Sequence, residues 1–349
     1  VASLAEQSGT LAHLIDSVFS RWQIAANTGD FCAASALADQ ALDLARREGS
    51  PTRLAMAHYL HIVPHFWLGD LACVEEHFTT GLAFFDDPGF RRAAPAAVEA
   101  FGFASLNACL LGRADLARDR IAEASAAATP NDPFDLAYSQ FFAAILRLWL
   151  REYEQAEALA AQALARAERH EFPMVTAWSR VGLGWARAQR GRASEGIALI
   201  QQGIAAQLEI GTRTGRSSAI GVLAEAQACA GAVGDALATV EQALQANPDE
   251  LVSRPEHLRL RGTLRLAQGR TELAAADFSE AIALASRMGA KTFELRATMS
   301  RARLLAQQGR RDEARTALTE IYNWFTEGFD TADLKEAKTL LEELKETGC

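Results

Sequence analysis

Lysine is nearly missing from this chain of 349 residues: Lys291, Lys335, Lys338 and Lys345 are its only four, so almost all of the 35 basic residues are arginine. Acidic residues number 44, giving a formal net charge of −9. A mildly acidic chain lacks the basic footprint that nucleic acid or an anionic membrane surface requires. Cysteine is sparse as well. The five residues, Cys32, Cys73, Cys109, Cys229 and Cys349, are scattered with no CxxC pair. That pattern predicts free thiols in a reducing, cytoplasmic setting rather than a disulfide framework. Long apolar runs are missing too: the longest, 141–150, is broken by Arg147, so no membrane-spanning helix is expected. The chain opens without a signal peptide and without methionine, as a piece of a longer protein would.

Catalytic signatures are also lacking. No lysine follows a glycine, which excludes a GxxxxGK[ST] phosphate loop. In "GLGWAR" Arg187 stands where a dinucleotide-binding loop needs its third glycine. "HEFPM" begins like a zinc-protease helix but ends in Met174, with Pro173 inside it. No GxSxG occurs. The expectation is a non-enzymatic chain without a cofactor.

What the chain does have is a period. Apolar helical runs end repeatedly in short turns at Gly29, Gly69, Gly112, Arg151, Gly191, Gly231, Gly269 and Gly309, spaced by 40, 43, 39, 40, 40, 38 and 40 residues. Five residues after each turn stand Ala34, Val74, Ala117, Ala156, Gly196, Ala236, Ala274 and Ala314. Twelve after stand Ala41, Gly81, Ala124, Ala163, Gly203, Ala243, Ala281 and the exception Ile321. The gap of seven residues is two helical turns, so both small side chains lie on one face and let a neighbouring helix approach closely. Each unit therefore reads as an antiparallel helix pair bent at the turn. The fold class is all-α: an α-solenoid of about eight such pairs over 1–349, elongated, with an amphipathic capping helix at 331–346.

The small residues after a turn glycine resemble the tetratricopeptide repeat, most closely in "GAVGDALATVEQALQANP" (231–248). The longer period resembles the tetratricopeptide regions of bacterial signal-transduction ATPases, including MalT-like regulators. Over nearly the whole chain, "AHYLHIVPHFWLGD", "EFPMVTAWSRVGLGWARAQRG" and above all "YNWFTEGFDTADLKEAKTLLEEL" resemble the C-terminal region of bacterial proteins that join a class III adenylate/guanylate cyclase or winged-helix domain to an ATPase. The resemblance implies a protein- or ligand-binding sensor module whose cyclase, ATPase or DNA-binding domains lie upstream.

It also implies a binding face. Residues 13, 10, 6, 3 and 2 before each turn share one side of each first helix, the side that lines the groove in tetratricopeptide arrays. Those positions hold Tyr59, Phe66 and Trp67, then Tyr138, Phe141 and Trp149, then Trp178 and Trp185, and finally Arg259, Arg296 and Arg303. Aromatic anchors beside arginines suit a protein or peptide partner with an acidic end, or a small anionic ligand. The competing reading packs the aromatics against neighbouring helices and pairs the arginines with the chain's own acids, such as Glu256, Asp277 or Glu294.

A histidine group invites a metal: His58, His61 and His65, with Cys73 and His77 beyond the turn. His58 and His65 are about 10.5 Å apart along a helix, too far to share one ion easily. His58 and His77 fall where the resembled family also tends to carry histidine. The expectation is packing histidines without bound metal.

Overall fold

The computed structural model describes residues 2–345, with side chains described at 11 and from 13 onward. It holds eighteen helices and no strand among those residues. Eight pairs follow in order: α1 (Ala2–Thr28) with α2 (Phe31–Glu48), α3 (Pro51–Leu68) with α4 (Leu71–Gly81), and, after the short α5 (Pro88–Arg92), α6 (Ala94–Leu110) with α7 (Ala114–Ala127). Then come α8 (Pro133–Trp149) with α9 (Tyr153–Arg169), α10 (Pro173–Gln189) with α11 (Ala193–Glu209), and α12 (Arg216–Cys229) with α13 (Val233–Ala246). The last pairs are α14 (Arg254–Ala267) with α15 (Thr271–Met288) and α16 (Lys291–Gln307) with α17 (Arg311–Tyr322), closed by α18 (Ala332–Lys345). Residue 346 of the expected capping helix lies outside the described residues.

The turns are built as the glycines require. All seven turn glycines have positive φ, from 74° to 83°, and Arg151 adopts the same left-handed conformation at 62°, which costs a residue with a Cβ roughly 1–2 kcal/mol. Asp30 and Asp70 follow two of these turns as N-caps, accepting from the backbone N–H of Ala33 and Cys73. The small residues on the second helices are buried at the crossings: Ala34, Ala117, Ala156, Ala236, Ala274 and Ala314 are all 0% exposed. At the crossing of α10 and α11 a Cβ added to Gly184 would stand 2.6 Å from the carbonyl oxygen of Gly196, so these two backbones touch. Phe78, Ile121, Ile200, Val240, Phe278 and Leu318, nine residues after their turns, fill the space beside the crossings and are buried.

One expectation is corrected. The solenoid is not an elongated rod, because its superhelix closes on itself. The backbone N–H of Arg213 donates to the carbonyl of Asn27 at 2.8 Å, and the N–H groups of Leu251 and Val252 donate to the carbonyl of Trp67 at 2.8 and 3.2 Å. Further along, Thr292 Oγ1 donates to the Cys109 carbonyl at 2.5 Å, and Glu327 accepts from the N–H groups of Asp115 and Leu116. The turns of the first three pairs thus meet the segments that begin α12, α14 and α16, the third also meets the loop before α18, and the fourth, through Arg151, meets α18 itself. This seam brings together residues 182 to 218 positions apart. The accessible surface of 15100 Å² is within about a tenth of the ~13,800 Å² expected of a compact monomer of this mass.

Candidate functional site

Closing the seam turns the concave side into a chamber of about 360 Å³. Nine of the eleven residues singled out on the first helices line it: Phe66, Trp67, Phe141, Trp149, Trp178, Trp185, Arg259, Arg296 and Arg303. The aromatic rings support one another. Phe66 stacks with Trp149 at 6.2 Å between centroids, Phe141 with Trp178 at 5.5 Å, and Trp149 meets Phe293 at 6.1 Å. Offset contacts of this kind hold large rings in fixed places with little freedom left to lose when a ligand docks.

The other two are corrected. Tyr59 and Tyr138 are buried between helices and do not line the chamber. A buried phenol needs a hydrogen-bond partner, and α6 supplies one. Tyr59 donates to Glu99 Oε2 at 2.7 Å, and Tyr138 lies against the same carboxyl group. Burial raises the Glu99 pKa, with the two tyrosines opposing that rise.

The arginines reach the chamber but are not free, which corrects the expectation of an open anion-binding end. Arg259 holds Glu256 through two nitrogens, at 3.0 and 2.7 Å. Arg296 donates to Asp333 Oδ2 at 2.8 Å and to the Trp149 carbonyl at 2.5 Å. Arg303 pairs with Glu336 at 2.6 Å. Arg151 reaches across the seam to both Asp333 and Glu336. Only Glu256 among the anticipated partners is used; the capping helix α18 supplies the others. Burial works against ionising Glu256, but Arg259, helped by Arg296 and His257, outweighs it and holds the carboxyl at about 2. Glu225 is the chamber's fourth acid. Burial and then the charge of Glu256 raise its pKa, and Arg259 and Arg296 offset only part of that. Gln189 Nε2 donates to it at 2.6 Å. Burial pushes His257, also on the wall, down to about 4, with Glu256 opposing.

The wall also carries polar groups with no partner inside the protein. Among the described residues, Trp67 Nε1, Gln207 Oε1 and His257 Nδ1 are buried and make no hydrogen bond. A buried polar group left unpaired costs about 1–3 kcal/mol, and all three belong to residues that line the chamber. The register itself contains a signal for two missed residues. Glu225 stands 6 before Gly231 and Glu256 stands 13 before Gly269, the same stations that selected the aromatics.

The histidines form a separate layer between α3 and α4. His61 stacks on His77 at 3.8 Å, and Nδ1 of His58 lies 3.2 Å from Nδ1 of His77. Burial pushes His58 down to about 4 and His61 to about 3. No described helix is long and apolar enough to cross a membrane.

No family model matches this sequence, and no curated protein matches it. Solved structures do share its shape. A Rap protein complexed with competence and sporulation factor superposes with a TM-score of 0.62 at 11% identity, covering 95% of this chain and 98% of that one. The apo quorum sensor NprR from B. thuringiensis gives 0.52 at 11% identity, covering 84% and 82%. The Cut9–Hcn1 assembly of APC/C gives 0.57 at 14%, covering 96% of this chain and 55% of that one. At these identities the likeness concerns the fold, and the fold of this chain is that of the tetratricopeptide-like helical-repeat superhelices.

Proposed function

We propose that this chain is a ligand-sensing module that takes a short peptide, or a small molecule of similar polarity, into the chamber closed by the seam. The chamber carries the reading: stacked aromatics for apolar side chains, and four arginines balanced by four acids for polar and charged groups. A charged ligand end would exchange with an internal carboxylate rather than meet an empty arginine. Exchange at Asp333 or Glu336 would release α18 and one stretch of the seam, so occupancy shifts the population between closed and opened superhelices. The Rap and NprR likenesses are consistent with a sensor of this architecture.

The resemblance to cyclase- and ATPase-linked proteins supports the further proposal that this module follows catalytic domains, which would read the seam's state. A second reading, a MalT-like transcriptional regulator, differs only in the upstream output. The chain itself is proposed to be non-catalytic and to bind no nucleic acid.

The test uses the chamber's own chromophores. Trp67, Trp149, Trp178 and Trp185 are four of six tryptophans, so fluorescence follows occupancy. Pentapeptide libraries with free or amidated C-termini should contain sequences that change the emission saturably, with binding lost in Trp178→Ala. No saturable response from any library would set the reading aside.

A further inference from the structure

The turn between α3 and α4 gathers side chains that the chamber does not use. His65 in the last turn of α3, Asp70 at the N-cap of α4 and Cys73 in its first turn have ligand atoms all within 4.8 Å of one another. Nδ1 of His65 stands 3.4 Å from Oδ2 of Asp70. Two ligands with bonds of about 2.1 Å at the corners of a tetrahedron stand about 3.4 Å apart.

Each ligand is also oriented from behind. His65 Nε2 and Ser35 Oγ hydrogen-bond at 3.0 Å, and His65 Nδ1 is buried with no hydrogen-bond partner among the described residues. Asp70 spends Oδ1 on the Cys73 N–H at 3.1 Å, which leaves Oδ2 facing His65. A histidine held through one nitrogen and bare at the other, beside a carboxylate held through one oxygen, is how outer-shell contacts prepare metal ligands. An ordinary histidine–aspartate pair explains two of these side chains and leaves the thiol without a role. Behind them, His61 is 2% exposed with neither ring nitrogen hydrogen-bonded, stacked on His77.

We propose that His65, Asp70 and Cys73 bind a zinc-like divalent cation, with the fourth tetrahedral position open to solvent beside the half-exposed Asp70. A nitrogen, an oxygen and a thiolate sulfur select a borderline ion over magnesium or calcium. On binding, the Cys73 thiol gives its proton to solvent and the sulfur bonds the metal. Sequence reasoning groups Cys73 with the histidines but treats Asp70 only as a turn residue. The site borders the chamber, since Phe66 and Trp67 follow His65 directly and the Trp67 carbonyl anchors the seam. The ion would pin that turn.

Cobalt(II) is the probe. Titrated into the metal-free full chain, it should bind at one equivalent with the visible absorption of a tetrahedral centre and a near-ultraviolet thiolate-to-cobalt band, both removed by zinc. Cys73→Ser should lose the near-ultraviolet band. Asp70→Asn keeps the N-cap and should weaken binding at least tenfold, as should His65→Ala, with unchanged far-ultraviolet circular dichroism. A native chain without the thiolate band would overturn the proposal. So would a band that survives Cys73→Ser, or undiminished affinity in both Asp70→Asn and His65→Ala.

Discussion

Replacing Asp333 by alanine perturbs the seam where it is most charged and least exposed. The Asp333 side chain is 9% exposed and accepts from Arg296, itself 13% exposed, at 2.8 and 2.7 Å, and from Arg151 at 3.1 Å. Taking the acid away leaves the Arg296 guanidinium buried with the Trp149 carbonyl as its remaining acceptor. Breaking a buried pair from one side costs about 3–5 kcal/mol, mostly the penalty of the stranded charge. Glu336, a turn further along α18, is a contrast within the same cluster. It and Arg303 are 36% and 43% exposed, so solvent screens them and Glu336→Ala should cost no more than about 1 kcal/mol. Denaturant unfolding should show the difference, and hydrogen exchange should localise it to α16 and α18, because repeat arrays lose stability unit by unit. The double variant Arg296→Met/Asp333→Leu should regain most of the loss. Equal effects from Asp333→Ala and Glu336→Ala would refute the reasoning, since burial would then not set the cost.

Three further outcomes are expected. Ala274→Leu inserts a branched side chain at a crossing where the native residue is 0% exposed and should lower stability by ~1–3 kcal/mol; an unchanged denaturation midpoint would mean the crossing is looser than described. Gly184→Ala should be at least as harmful, because its Cβ meets the Gly196 carbonyl rather than a movable side chain; circular dichroism melting would register it. The folded pKa of His257, about 4 against 6.5, means the unfolded chain takes up the proton first. Its contribution is therefore complete above pH 6.5 and lost as pH falls towards 4, at up to about 1.4 kcal/mol per pH unit. Burial is the main cause, with Glu256 opposing and Arg254 assisting. The stability difference between native chain and His257→Gln should shrink over that interval, and a pH-independent difference would contradict the assignment.

The architecture was legible because each repeat states it again. A turn residue with positive φ, a small residue five later and another twelve later recur through eight repeats, with Val74 and Ile321 as the departures, and each is a local demand of helix crossing. Nine of the eleven residues picked by that register line the chamber. It failed at Tyr59 and Tyr138, whose hydroxyls are drawn to Glu99, a partner one or more helices away that no spacing rule reveals. Applied to acids as well as aromatics, it would have found Glu225 and Glu256. The closure was not legible. The contacts of Asn27 with Arg213 and of Trp67 with Leu251 depend on the summed rotation of several pairs, which no single repeat encodes. Asp333 and Glu336 were hidden for a related reason, since α18 lies outside the repeat and its acids read as the polar face of a cap. The Arg151 turn was visible as a departure from glycine, but its reach to α18 was not.

Small-angle X-ray scattering of the full chain in dilute solution tests most directly whether the groove is a closed chamber. A superhelix sealed along its seam should give a radius of gyration within about 4 Å of the ~20 Å expected for a compact chain of this length. A value near 30 Å, with the distance distribution of an open rod, would show the seam parted and contradict the account.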